Sequence, residues 1–317
     1  MKVLSETTST NPGLTPYTGA AGRYVEAGLS GAANTSRAYQ SDLKRFAAWC
    51  AAHDYPPLPA STDALVGFIT SLAEAGKKVA TIQRHCAAIS KACAVGGVDS
   101  PTDDKQFKIF MDGVRRVHGM RQKQAPAFGL ANFKRVVREL TLDTPGGLRD
   151  RAILLLGFTG AFRRSELTAL NIEDLSFTED CLIVSLRKSK TNQRGDHEEK
   201  AIFYSPESAV CPIRSLKVWL SQLDRVQGPV FVSLRKNNQL TNNRLSDQTI
   251  NVLVQRYLGA GFTAHSLRAS FVTVAKLAGA DDSKVMNQTK HKTSAMIRRY
   301  TRLDDVKQHN AAKELGL

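Results

Sequence analysis

Zinc-type cysteine spacing, a signal-like leader, a membrane-length apolar run and internal repeats are all missing from this 317-residue sequence. Its five cysteines, Cys50, Cys86, Cys93, Cys181 and Cys211, are odd in number and include no Cys-x-x-Cys pair. That argues against a disulfide framework and against a zinc module, and favours buried free thiols in a reducing compartment. Residues 1–12 are rich in Ser and Thr and have no apolar centre of the kind a signal peptide needs. The longest apolar stretch, 152–162, falls short of the roughly 20 residues that span a bilayer. A soluble, cytoplasmic protein with no membrane partner is expected. Carboxylates are scarce too: 29 Asp and Glu stand against 44 Lys and Arg. No carboxylate cluster suggests a metal-dependent nuclease, and neither a metal nor an organic cofactor is expected.

What is present in excess is positive charge, +15 overall. Such an imbalance suits a polyanionic partner, because neutralising phosphates releases condensed counterions. No long basic amphipathic stripe with aromatics on its other face supports a membrane-surface alternative.

Residues 1–22 are small and polar and read as a flexible arm. From Thr35 and Ser36, whose hydroxyls can cap a helix, Tyr39, Leu43, Phe46 and Trp49 recur at helical spacing. Further helices read over 61–72, 79–94 and 105–117, giving an all-α domain over 23–119. The polar, basic stretch 120–129, with Pro126 and Gly129, reads as a linker. In the longer domain, 130–317, helices are expected at 130–141, 148–158 and 164–170. Two β-rich runs follow, 181–186 and 201–204, joined by the polar loop 187–200. Helices resume near 212 and recur at 245–256, 266–278, 282–288 and 293–302, and Leu303, Val306 and Leu315 mark a last helical stripe. The expected class is mainly α: an all-α N-terminal domain plus an α+β domain with a small antiparallel sheet.

Six residues stand out by type and order: Arg163, Lys190, His265, Arg268, His291 and Tyr300. They lie in Gly160-Ala161-Phe162-Arg163-Arg164-Ser165-Glu166-Leu167, Ser189-Lys190-Thr191, His265-Ser266-Leu267-Arg268, and His291 with Tyr300 nine residues on. Singly, each has an ordinary explanation as a surface cation, loop lysine or packed aromatic. As an ordered set in a basic chain, they resemble the catalytic signature of the tyrosine recombinases, the phage-type integrases. The resemblance runs from about residue 128 to 301. Its Ser-Glu-Leu anchor makes Arg163 rather than Arg164 the catalytic arginine, and implies that Glu166 supports the active-site histidine and arginine. Ser36 to Cys50 is similar, more weakly, to the first helix of that family's core-binding domain. Two departures stand: Lys290 precedes His291 where the family commonly has Gly, and Ala269 follows Arg268 where His is frequent.

The chemistry suits those residue types. A phosphodiester repels nucleophiles, and its pentacoordinate transition state carries more charge still, so preorganised cations stabilise it. A planar guanidinium bonds two phosphate oxygens at once, the task expected of Arg163 and Arg268. Lys190 is the candidate general acid for the 5′ leaving oxygen. Tyr300 is the candidate nucleophile; making phenolate at pH 7 costs about 4 kcal/mol from a reference pKa near 10, so a base such as His265 is needed. His291 is expected to hydrogen-bond the phosphate or orient the site. The resemblance thus implies a site-specific DNA recombinase or integrase acting through a 3′-phosphotyrosine. It also implies double-stranded DNA as partner, a homo-tetramer in the synaptic complex, a last helix docked on a neighbouring subunit, and accessory DNA-bending proteins. A type IB topoisomerase usually has Lys where His265 stands, and a non-catalytic DNA-binding protein has no need of Tyr300 or Lys190.

Overall fold

The computed structural model describes residues 33–119, 125–186 and 198–298. The arm 1–22, residues 120–124 of the expected linker, Lys190, Tyr300 and the tail from 303 lie outside the described residues. The chain divides between Gln122 and Lys123 into two compact units. Its class is mainly α, with small antiparallel sheets in the second unit only among the described residues.

Among the described residues the first unit holds four α-helices: α1 (Ala33–Ala52), α2 (Thr62–Glu74), α3 (Val79–Gly96) and α4 (Lys105–His118). The expected spacing places Phe46 of α1, Leu65, Phe68 and Ile69 of α2, Ile82 and Ile89 of α3, and Phe107 and Met111 of α4 in one core. Each such buried side chain contributes about 2 kcal/mol. Local chemistry sets the helix ends. Ser61 Oγ accepts the Ala64 N–H, and Asp104 Oδ1 accepts those of Gln106 and Phe107. Gly97, at φ 66°, closes α3 in the left-handed conformation. Asp42, buried on α1, takes two hydrogen bonds from Arg84, at 2.7 and 2.9 Å, tying α1 to α3. Gly67 lets α2 pass the Trp49 ring, since a Cβ there would lie 2.7 Å from it.

The second unit holds α5 (Leu130–Glu139), α6 (Pro145–Thr159), α7 (Arg164–Ala169), α8 (Pro212–Leu223), α9 (Asp247–Leu258), α10 (Ala264–Leu277), α11 (Asp282–Thr289) and α12 (Ser294–Arg298). Strands β1 (Leu175–Phe177), β2 (Cys181–Leu186) and β3 (Glu198–Phe203) form an antiparallel sheet in that order. A separate hairpin pairs β4 (Val232–Leu234) with β5 (Leu240–Arg244). The apolar run noted above is α6, which is buried on nearly every face, as a central helix must be. Phe128, at the end of the expected linker, is buried in this unit's core and stacks on Phe133 at 5.1 Å. No helix among the described residues is long and apolar enough to cross a membrane.

One boundary corrects the sequence reading in a way that matters for the site. Lys200 was read as the last residue of a polar loop, but it lies within β3, opposite Val184, and is 1% exposed. The alternation of β3 sends Lys200 and Ile202 inward together. A lysine in a core is stable only if its ammonium finds polar partners there, and it does.

Candidate active site

The site is assembled around the turn that ends α6. Gly160 has no room for a side chain: a Cβ would sit 2.2 Å from the Phe162 ring and 2.9 Å from Ile202. Ala161 follows at φ 45°, a left-handed conformation that is costly for a residue with a Cβ. The buried Phe162 anchors the reversal. Its result is that the carbonyls of Gly160 and Ala161 face inward, toward cations from two other elements.

Arg163 is the N-cap of α7. Glu166, on the first turn of that helix, is buried and accepts the Arg163 backbone N–H through Oε2 at 2.9 Å. Its Oε1 takes a short hydrogen bond from Arg163 Nη1. One carboxylate therefore caps the helix and orients the guanidinium. An arginine side chain has no lone pair to return the capping bond, so the stabilisation runs one way.

Arg268 lies on α10 and is 1% exposed. Its Nη1 donates to Ala161 O at 2.7 Å and its Nη2 to Thr289 O. The guanidinium thus spans the turn after α6 and the end of α11. His265 is exposed on the first turn of α10, three residues before Arg268 and on the same helix face. The Thr263 N–H that precedes it is capped by Ser266 Oγ at 3.1 Å.

Past Thr289, Lys290 adopts φ 55° and ψ 40°, and its N–H bonds Met286 O at 2.7 Å. This left-handed cap is a conformation in which glycine is the default residue, with Lys290 bearing about 1 kcal/mol of strain. The turn delivers His291, which is 6% exposed, back toward Arg268. Thr289 Oγ1 donates to Val285 O at 2.7 Å and lies 2.9 Å from His291 Nδ1. A hydroxyl has one proton, so both contacts are satisfied only if Nδ1 carries the ring hydrogen and donates to Thr289. Nε2 is then the acceptor nitrogen of the imidazole. An open depression of about 520 Å³, lined by residues including Met286, Lys290 and Lys292, borders the ring.

Lys200 completes the cluster. Its Nζ donates to Gly160 O at 2.8 Å and Gln288 O at 2.7 Å, lies 3.5 Å from Ala161 O, and sits 4.9 Å from the Phe162 ring centre. Burial pushes its pKa down to about 7; Glu166 opposes the shift, while Arg268, Arg163 and Lys290 add to it. His291 is driven down to about 3, first by burial and then by Arg268, Arg163, Lys200 and His265. The ring is therefore neutral in the folded chain, while its ordinary value of 6.5 applies when unfolded. Below about pH 6.5 the unfolded chain takes up a proton that the folded chain refuses, so stability falls as pH drops toward 3. The slope from this group is at most about 1.4 kcal/mol per pH unit. Unfolding free energies of the native chain and His291→Gln, compared between pH 6.5 and 4.5, should diverge by a slope of that sign. Parallel curves would mean that the buried ring is charged.

Arg163, Glu166, His265, Arg268 and His291, chosen on sequence, come from three separate segments and converge here. Lys200 was not among them. Its only sequence signal is a lysine one residue before an apolar β run. Surplus cations around one neutral imidazole suit an anion with several oxygens, such as a phosphodiester.

Comparison with known proteins identifies the family. A profile of the phage integrase family matches residues 132–307, and one for the phage integrase N-terminal SAM-like domain matches residues 24–93. The chain is 35% identical over 295 residues to an integrase/recombinase XerD homolog from Selenomonas ruminantium, covering 90% of this chain and 86% of that one. It is 26% identical over 292 residues to the tyrosine recombinase XerD of Lacticaseibacillus casei, covering 89% and 91%. In fold it is similar to the XerH site-specific recombinase bound to palindromic difH substrate, with a TM-score of 0.64 at 18% identity over 89% of this chain and 80% of that one. A lambda integrase dimer bound to a COC′ core site gives a TM-score of 0.58 at 14% identity, over 88% and 75%. With the first profile spanning more than half the chain and a 35% identical relative aligned along nearly all of it, the chain belongs to the phage integrase family.

Proposed function

We infer that this chain is a site-specific DNA recombinase that cuts and rejoins duplex DNA through a 3′-phosphotyrosyl intermediate. The observation that most supports this is the convergence of Arg163, Arg268 and His291 on carbonyl-lined turns, with Glu166 orienting the first arginine. In this reading the two guanidiniums hold the non-bridging oxygens of the scissile phosphate. His265 takes the phenolic proton of Tyr300, whose oxygen attacks phosphorus as the bond to the 5′ oxygen breaks. Lys190 protonates that 5′ oxygen as it leaves. Burial and then the neighbouring cations keep His291 neutral; an incoming phosphate offsets those cations, so protonation at Nε2 turns the ring into a donor to the phosphate. The phosphodiester is exchanged for another ester, so religation needs no nucleotide, and the charge is supplied by side chains.

The domain assignment belongs to the same proposal. Residues 23–119 act as a core-binding domain that closes a clamp on DNA, 120–129 as its linker, and 130–317 as the catalytic domain. Synapsis joins four copies, with accessory DNA-bending proteins as partners in the cytoplasm. The test is a nicked suicide duplex bearing the inverted repeats that flank the encoding gene, incubated in excess chelator without nucleotide. A covalent adduct at a 3′ phosphate is expected. Its absence, or a strict need for added magnesium, would overturn the mechanism. Relaxation of supercoiled DNA lacking the repeats would instead indicate a topoisomerase.

A further inference from the structure

We propose that Lys200 is a positioning residue for DNA cleavage: its buried amine braces the turn before Arg163 against the end of α11 before His291. The proposal deepens the recombinase reading and rests on it for the word cleavage, though the brace itself is a property of the DNA-free chain.

The geometry carries the argument. The Gly160–Ala161 turn and the Gln288–Thr289 helix end belong to segments more than a hundred residues apart, and each offers backbone carbonyls to the same interior space. Carbonyls facing one another need a donor between them. Two side chains supply it. Arg268 links Ala161 O to Thr289 O, and Lys200 links Gly160 O to Gln288 O, one residue earlier on each side. Gln288 adds a third tie, since its Nε2 donates to Thr159 O and Ala201 O, each at 2.9 Å. The two cations thus form parallel rungs between the segments that deliver Arg163 and His291. Arg268 reaches them from α10 and Lys200 from β3, so the sheet is locked to the site as well. Lys200 is buried behind those carbonyls, which separates its role from the one proposed for Lys190. Either protonation state has enough N–H donors for the two short bonds, so the brace holds on both sides of neutral pH.

The brace predicts a specific pattern. Lys200→Met keeps the length and apolar stem and removes every donor, whereas Lys200→Arg keeps charge and donors. Melting temperature is recorded for both; if the Met variant does not fold, Lys200→Gln, with one short donor group, takes its place. On the DNA-free proteins, amide hydrogen exchange is measured over residues 159–163 and 286–291. Exchange in both segments should rise at least tenfold in the Met variant and stay within about threefold of native in the Arg variant. On the nicked suicide duplex, the Met variant should bind within about threefold of native affinity while forming adduct at least thirtyfold more slowly, with the Arg variant recovering most of the rate. Unchanged exchange in the Met variant overturns the brace, and faster exchange with a native cleavage rate overturns its role in positioning. Equal losses in the Met and Arg variants that follow melting temperature would reduce Lys200 to a packing residue. If the native chain forms no adduct, the recombinase reading fails, and the exchange data still decide the brace.

Discussion

Tyr300→Phe should form no covalent adduct with a nicked site-bearing duplex, while binding that duplex within about twofold of the native chain. The substitution removes one hydroxyl and no phosphate-binding charge, so affinity has little reason to change. Losing the nucleophile should cost about 10⁴-fold or more in single-turnover cleavage, by analogy with deletion of a serine nucleophile. The structure also indicates which tyrosine is a poor substitute. Tyr257, on α9, is half-buried, and its hydroxyl donates to Asp150 Oδ2 at 3.1 Å. Burial and then the Asp150 charge push its pKa up, away from phenolate. An adduct on the Tyr300→Phe chain that mapped to Tyr257 or any other tyrosine would refute the assignment of the nucleophile.

Arg268→Ala should slow adduct formation by about 10²–10³-fold, the scale seen when one preorganised oxyanion donor is deleted. Arg268→Lys is the more informative variant. A guanidinium reaches Ala161 O and Thr289 O with separate nitrogens, and a lysine has only one nitrogen to place. The Lys variant should therefore remain at least about tenfold below native despite its charge. Both variants leave a buried carbonyl without its donor, a loss of about 1–3 kcal/mol in urea unfolding. A native cleavage rate in Arg268→Lys would mean that the residue contributes charge alone and that its grip on two backbone segments is dispensable.

The contrast between Arg268 and Lys200 shows what sequence could and could not reveal. Arg268 sits in His265-Ser266-Leu267-Arg268, a local spacing tied to a known chemistry. Lys200 borders a polar loop, and its partners are main-chain carbonyls that leave no trace in residue type. The four helices of the first unit were legible because one apolar face repeats at helical period in each. Strand β1 and the β4–β5 hairpin were not. Each has a strand of three residues, and β5, Leu-Thr-Asn-Asn-Arg, is nearly all polar and mostly exposed. Their pairing comes from tertiary packing, which a five-residue window does not encode. Lys290 shows the converse. A left-handed turn that a glycine would have signalled was hidden by a lysine, and only the backbone revealed it.

Arg268 and Lys200 each donate to backbone carbonyl oxygens, and this bears on how the proposed recombinase would meet a phosphate. A carboxylate partner fixes a cation and cancels it, whereas a carbonyl fixes it without contributing an opposite charge. Glu166 favours the charged form of Lys200, whereas Arg268, Arg163 and Lys290 disfavour it. These gathered like charges resemble a compressed spring, and their repulsion adds to burial in lowering the Lys200 pKa. A phosphodiester entering the site lets that repulsion relax. On the proposed function, part of the affinity for the scissile phosphate would come from that relief, which is available only to a ligand that brings negative charge to that point.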